Sequence, residues 1–307
     1  MRWTCASRWA VRWSRFPAAS VIRVTAGEVS EPVRIRAVAT DLDGTIVRPD
    51  GTVSEATREA VRKLREAEIP LIVATARTPA GLSAIEPLGR QVDLAVCCNG
   101  SLGYRPSDSA VLWRYEIDPA VLKTVITALR GYLPDAGFGV YDGQEWTLTR
   151  LYRAAGGSWP RGPRRLAGPG QIAQVKACAM SVCHSRLGPA QIAAVLARAG
   201  IGSRQALLSW AADGVLNVAP AGVSKGTGVT RALAHLGIVG AETICFGDAH
   251  NDLPMFSRVA VAVAVANAHQ DVLAAADVVA DSVGNDGFAR TLEKFGIIRP
   301  GSARQSS

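Results

Sequence analysis

Long apolar runs are missing from this 307-residue sequence. The longest, Val259 to Ala266, alternates Val with Ala. It falls far short of the ~20 residues a membrane-spanning helix needs and reads as a buried strand, so no membrane role is expected. Paired cysteines are missing too. The six, at 5, 97, 98, 178, 183 and 245, show no Cys-x2-Cys spacing, which speaks against a zinc-ribbon or dithiol redox framework. Cys178, Cys183 and His184 are neighbours without a second ligand pair. Most of these cysteines sit in apolar segments, the pattern of buried, reduced thiols in a cytoplasmic protein.

Acidic residues are scarce only at the start. The net charge is +8, but residues 1 to 36 hold seven arginines (2, 8, 12, 15, 23, 34, 36) against Glu28 and Glu31. The remainder is near neutral for its size, with a small cluster at Arg161, Arg164 and Arg165, and no nucleic-acid partner is expected. The first residues lack an apolar h-region, which argues against a secretory signal. Arg-rich and acid-poor, they mimic a transit peptide. Residues 1–32 read as a disordered extension, or as a start site assigned too early, and 298–307 as a flexible tail.

Hydrophobic content of 48% is ample for a packed core. Val33 to Asp41, Pro70 to Thr75 and Leu94 to Cys98 are continuous apolar strands. Ser54 opens a helix to about Ala67, and Thr78 to Leu88 holds another. Apolar strands alternating with helices indicate a parallel sheet covered on both faces. From about Tyr104 the rhythm changes. Strands are expected at Val111–Ile117, Phe138–Tyr141, Trp146–Leu151 and Val175–Cys183, helices at 119–130 and 189–199, and a hairpin over 204–218 around Asp213-Gly214. Arg153–Gly170 reads as a long loop. After Pro220 the strand–helix rhythm returns. The expected fold class is α/β: a Rossmann-like parallel-sheet core of residues 33–104 and 220–297, interrupted by an α+β cap of residues 105–219.

Chemistry gathers where apolar strands end. Val38 to Thr45 reads VATDLDGT, with two carboxylates one residue apart and Gly44 to turn the chain. Thr75 ends the second strand in VATART, Lys225 opens a helix in GVSKGTG, and GDAHND runs from Gly247 to Asp252. Open α/β sheets bind ligands at the carboxyl edge of their strands, so these four segments would meet there. They supply carboxylates for a hard divalent cation, a hydroxyl and an ammonium, a set suited to phosphoryl transfer. Taken singly, each is ordinary. Asp43-Gly44 alone is a turn, Thr75 a strand-end residue, and Lys225 a solvated neighbour of the helix cap Ser224. His250 reads as a variable loop residue, and His235 and His269 as helix surface.

In combination the chain resembles the haloacid dehalogenase-like hydrolase superfamily, and within it the Cof-type (class IIB capped) phosphatases. DLDGT followed by Asp50-Gly51, ATART, Asn99-Gly100, SKG, GDAHND and Asn267-Ala268 fall in family order from about Val33 to Phe295. The resemblance implies that Asp41 attacks phosphorus and forms an aspartyl-phosphate, while Asp43 protonates the leaving oxygen. It implies Mg²⁺ held by the Asp41 carboxylate, the Asp43 backbone carbonyl and the Asp248 carboxylate. Thr75, the backbone around Ala76, Lys225 and Asn251 would hold the phosphoryl group, with Gly44, Thr45 and Asp252 supporting. Two positions depart from the family pattern: Ala76 stands where Gly is usual, and Val265-Ala266-Asn267 replaces Met-Gly-Asn. The implied partner is a small phosphate ester such as a sugar phosphate, handled by a monomer or homodimer. A phosphosugar mutase of related architecture and a catalytically silent metabolite-binding protein are the alternatives. Arg153, Arg161, Arg164 and Arg165 could meet an anionic substrate or simply be solvated. Trp146, Trp159 and Trp210 could form a stacking wall or pack into the core.

Overall fold

The computed structural model describes residues 10–12, 21–25, 32–85, 88–158, 160–210 and 214–300. Three short strands, β1 (Ala10–Arg12), β2 (Val21–Thr25) and β3 (Pro32–Arg34), form a small antiparallel ladder. The rest of residues 1–31 lies outside the described residues, as does the disorder expected there.

The chain then enters β4 (Ala37–Thr40), every residue of it buried. Helix α1 (Glu55–Glu66) begins at Ser54, whose hydroxyl accepts the N–H of Thr57 at 3.1 Å. It carries Glu55 in its first turn and Lys63 and Arg65 in its last, complementing the helix dipole. It buries Thr57, Ala60, Val61 and Leu64, the stripe that a 3.6-residue period dictates. Strand β5 (Leu71–Ala74), helix α2 (Pro79–Ser83) and strand β6 (Leu94–Cys97) follow. Next come β7 (Leu102–Arg105) and β8 (Ala110–Arg114). The middle of the chain forms α3 (Pro119–Tyr132), β9 (Gly137–Tyr141), β10 (Trp146–Leu148), β11 (Arg164–Leu166), α4 (Pro169–Ile172), β12 (Ala179–Cys183), α5 (Pro189–Arg198), β13 (Ala206–Trp210) and β14 (Leu216–Pro220). The last third forms α6 (Lys225–His235), β15 (Thr243–Gly247), α7 (Leu253–Phe256), β16 (Val261–Val265), α8 (Gln270–Ala275), β17 (Val278–Ala280) and α9 (Gly287–Lys294).

Two larger sheets result. One has eight strands in the order β17-β16-β15-β4-β5-β6-β7-β8, the first six parallel and the last two antiparallel. The other has six strands in the order β11-β10-β9-β12-β14-β13. The eight-stranded sheet is covered by helices on both faces. Leu64, Phe246, Phe288 and Leu292 pack on one side, and Val229, Leu233, Met255 and Val272 on the other. A separate apolar cluster, including Val125, Leu129, Ile192 and Leu196, seats α3 and α5 on the six-stranded sheet.

Several boundaries differ from expectation. Strand β8 was assigned to the inserted unit, yet it pairs with β7 at the edge of the eight-stranded sheet. The reason is local. The Asp108 carboxylate accepts the Ala110 N–H and binds Arg105, closing a tight hairpin. The Trp113 indole lies over Gly103 and donates to the Gly100 carbonyl at 3.2 Å, which anchors the strand to the core. The 153–170 segment is not structureless, because β11 pairs parallel with β10 and α4 follows. Ile298 is buried beside Ile297, so the chain is still packed where a flexible tail was expected to begin. Residues 301–307, Trp159 and Asp213 lie outside the described residues.

Candidate active site

The polar strand ends converge on the carboxyl edge of the parallel strands. Asp41 follows β4 and donates its N–H to the Phe246 carbonyl of neighbouring β15 at 3.0 Å. This places it beside the segment that leaves β15 with Asp248. Lys225 arrives from across the sheet as the first residue of α6. Its helix is fixed by the hydroxyls of Ser224 and Thr227, each accepting the other residue's N–H.

The Lys225 Nζ sits 2.6 Å from Asp41 Oδ1 and 2.7 Å from Asp252 Oδ1, with all three side chains buried. Asp252 Oδ2 accepts the N–H groups of Asp248 and Ala249, both at 3.0 Å. Both oxygens of Asp252 are therefore engaged, and it acts as a brace. Asp248 Oδ1 accepts the Thr45 hydroxyl at 3.3 Å. Carboxylate oxygens of Asp41, Asp248 and Asp252 lie within 4.8 Å of one another. Gly44 explains how the two loops approach so closely. It has φ +87°, and a Cβ there would stand 2.3 Å from Asp248 Oδ2. Asn267 fastens the same loop by donating to the Gly44 carbonyl at 2.8 Å.

Three carboxylates here face one ammonium, which leaves two negative charges unmatched. Burial pushes the Asp41 carboxyl well above the usual carboxylate range, while Lys225 pulls it back. Burial and the neighbouring Asp252 raise Asp248 to about 6. Lys225 moves upward because the carboxylates outweigh its own desolvation, so it stays an ammonium. Such a cluster is satisfied by a divalent cation or by a shared proton. With Asp252 engaged, Asp41 and Asp248 are the carboxylates placed to hold a hard cation, and oxygen donors of this kind suit Mg²⁺.

Asp43 is not drawn into this cluster. It lies exposed at the mouth, where Arg77 grips it with Nε at 2.8 Å and Nη2 at 2.6 Å. Thr75 is buried. Its N–H bonds the Val96 carbonyl, and its hydroxyl oxygen accepts the Arg77 N–H at 3.1 Å, which leaves the hydroxyl proton to donate elsewhere. Ala76 is exposed, so its methyl, the departure from the family glycine, meets no packed wall. Asn251 donates from Nδ2 to Asn99 Oδ1 at 3.0 Å, and its own Oδ1 is buried with no partner among the described residues. Asn99, in the left-handed region at φ 54°, donates in turn to the Ser209 hydroxyl on β13 at 3.4 Å.

Arg77, Asn99 and Ser209 carry no site role in the sequence reading above. The signal for Arg77 was its position two residues after Thr75, in the same strand-end turn. Nothing local marks Ser209, because its approach depends on how the six-stranded sheet lies against the core. Gly162, in the loop before β11, touches the core as well, with space for a Cβ only 2.8 Å from that of Ala80 in α2. Of the arginines considered for an anionic substrate, Arg165 pairs with Glu145 at 3.2 Å, and Arg161 and Arg164 are exposed. Trp146 is buried against Tyr141, whereas Trp210 is 40% exposed on the edge strand β13.

Residues 38–292 match the family model for haloacid dehalogenase-like hydrolases. The chain belongs to that family. It is 25% identical over 261 residues to a phosphoglycolate phosphatase of Methanoculleus marisnigri, covering 85% of this chain and 97% of that one. It is 28% identical over 279 residues to the pyridoxal phosphate phosphatase YbhA of Escherichia coli, covering 83% and 96%. Among solved structures, the HAD subclass IIB sugar phosphatase BT4131 superposes with a TM-score of 0.73 at 20% identity, over 86% of this chain and all of the other. That likeness establishes the α/β fold of this hydrolase.

Proposed function

We infer that the protein is a phosphomonoester hydrolase that uses Mg²⁺ and acts on a small phosphorylated metabolite. The observation that carries this reading is the buried Lys225 bridge between Asp41 and Asp252, with Asp248 alongside. A structural ion pair would not leave two charges unmatched at the edge where a parallel sheet binds ligands. The phosphatase relatives support the same reaction class.

Each role follows from position. Lys225 holds Asp41 Oδ1, which orients the carboxylate so that its other oxygen can attack phosphorus. The attack forms the P–O bond of an aspartyl-phosphate as the ester oxygen leaves. Asp43, exposed at the mouth, protonates that oxygen and later accepts a proton from the hydrolytic water. The Thr75 hydroxyl, the backbone at Ala76 and Lys225 hold phosphoryl oxygens, and Asn251 closes the pocket through Asn99. Mg²⁺ held by the Asp41 and Asp248 carboxylates and the Asp43 carbonyl would offset the charge of the phosphoryl group. Gly44 and Thr45 shape and hold the loop that makes this possible.

Residues 115–219, with the six-stranded sheet, act as a cap over the core edge. Ser209 and the loop at Gly162 are two of its contacts with the core. The free, buried thiols among the described cysteines support a reducing compartment such as the cytoplasm. The test is phosphate release from a panel of phosphorylated metabolites with Mg²⁺ present. Release that stops with EDTA and in Asp41→Asn is expected. Isomerisation of a sugar phosphate without release would instead point to a mutase.

A further inference from the structure

A second group of metal-ligating side chains lies beside the carboxylate cluster. His250, in the GDAHND turn, places Nε2 2.9 Å from Asp271 Oδ2. His269, just before α8, places Nδ1 3.6 Å from the same oxygen. The two imidazole rings stand 4.1 Å apart between centroids, inclined by 48°. One donor atom from each of the three residues falls within 4.8 Å of the others, and all three side chains are exposed. We propose that His250, His269 and Asp271 form a binding site for a zinc-class transition-metal ion, distinct from the magnesium site.

The donor set and the spacing both favour this. Two imidazoles and a carboxylate, with a water in the fourth position, are a common zinc environment. With zinc–donor distances near 2.0–2.2 Å, tetrahedral geometry separates donors by about 3.3 Å. The contacts at 2.9 and 3.6 Å bracket that spacing, so modest side-chain rotation admits an ion. Imidazole also selects against Mg²⁺, which prefers oxygen donors. One existing contact competes: His269 Nδ1 accepts the Asp271 N–H at 3.2 Å, so the ion takes either that lone pair or the other ring nitrogen.

The three residues are held in advance. The turn carrying His250 is braced by Asp252, which accepts the N–H groups of Asp248 and Ala249. The His269 N–H donates to the Asp248 carbonyl at 2.9 Å. A bound ion therefore staples the loop that carries Asp248 to α8. Ligands fixed on an ordered backbone lose little freedom on binding.

The test is zinc titration of the full-length protein with Mg²⁺ in large excess, so that the carboxylate cluster is filled. Calorimetry should show one zinc equivalent, and zinc should raise the melting temperature. The chain has four histidines, so ring NMR signals locate the ion: those of His250 and His269 should shift, and those of His184 and His235 should not. His250→Ala/His269→Ala should weaken binding at least about tenfold, and Asp41→Asn should leave it intact. Should the double variant fold poorly, the ring signals of the wild-type protein still decide. Zinc that leaves the two rings unmoved, or binds the double variant as tightly as wild type, overturns the site.

Discussion

Arg77 and Asp43 form a two-point pair, with Nε and Nη2 each bonded to one carboxylate oxygen at 2.8 and 2.6 Å. The guanidinium is also tied to the Gly81 carbonyl at 3.1 Å. The residue assigned to protonate the leaving group is thus parked on an arginine anchored in α2. For Asp43 to act, an incoming ester must compete for it.

This arrangement predicts a dependence on the leaving group. Asp43→Asn should lower turnover of an alkyl phosphate by about 10²–10⁴-fold, the usual worth of a general acid. In the first turnover, before the water step that also uses Asp43, it should cost much less with p-nitrophenyl phosphate, whose leaving group departs as a stable anion. Arg77→Lys keeps the charge but loses the fork. It should change first-turnover release from the alkyl ester while leaving the aryl ester little changed. Equal first-turnover losses on both esters would remove Asp43 from the protonation step.

The unmatched charge predicts how stability varies with pH. Asp248 is raised to about 6 by burial and by Asp252, and Asp41 is raised as well. A carboxyl whose folded value lies above its unfolded one binds more protons in the native state. Its contribution is present at low pH and is lost as pH rises from about 4 to about 6. For Asp248 alone that is about 3 kcal/mol. Metal-free protein should therefore melt lower at pH 7 than at pH 5. Mg²⁺ should restore stability at pH 7 and do little at pH 5. Scanning calorimetry at the two values, with and without the ion, makes the comparison.

Removing the central cation should be worse than removing a surface charge. Lys225→Met leaves Asp41 and Asp252 buried and facing each other without an ammonium. Breaking a buried pair from one side costs about 3–5 kcal/mol. Urea denaturation at pH 7 should show that loss, and activity should vanish. Adding Asp252→Asn should recover part of the stability, because it removes one of the stranded charges, without recovering activity.

The sequence was most legible where chemistry is local. Asp41 and Asp248 were readable because an apolar strand that ends in a charge must meet a partner at a sheet edge, and the structure brings those strand ends together with Lys225 at the start of α6. The helix over 55–66 was readable from its cap and its stripe. What was not readable depended on distant packing. Strand β8 left the inserted unit because Trp113 covers Gly103, a contact that periodicity cannot encode. His250 and His269 looked like plain surface because eighteen intervening residues of strand and helix bring the rings together. Ser209 drew no notice, since its bond to Asn99 exists only once the two sheets meet.

Backbone strain and site geometry can be separated within one loop. Gly44 and Gly51 both have positive φ, +87° and +82°. An alanine at either should cost about 1–2 kcal/mol for the left-handed backbone. They differ in what surrounds them. A Cβ on Gly51 meets nothing within 4 Å, whereas one on Gly44 stands 2.3 Å from Asp248 Oδ2. Gly44→Ala must therefore displace the Asp248 carboxylate. Both variants should melt lower by a similar amount, but only Gly44→Ala should weaken Mg²⁺ binding and slow turnover. Magnesium titration of the two proteins side by side checks this. Equal magnesium affinity in the pair would mean that Asp248 does not need its present position to hold the ion.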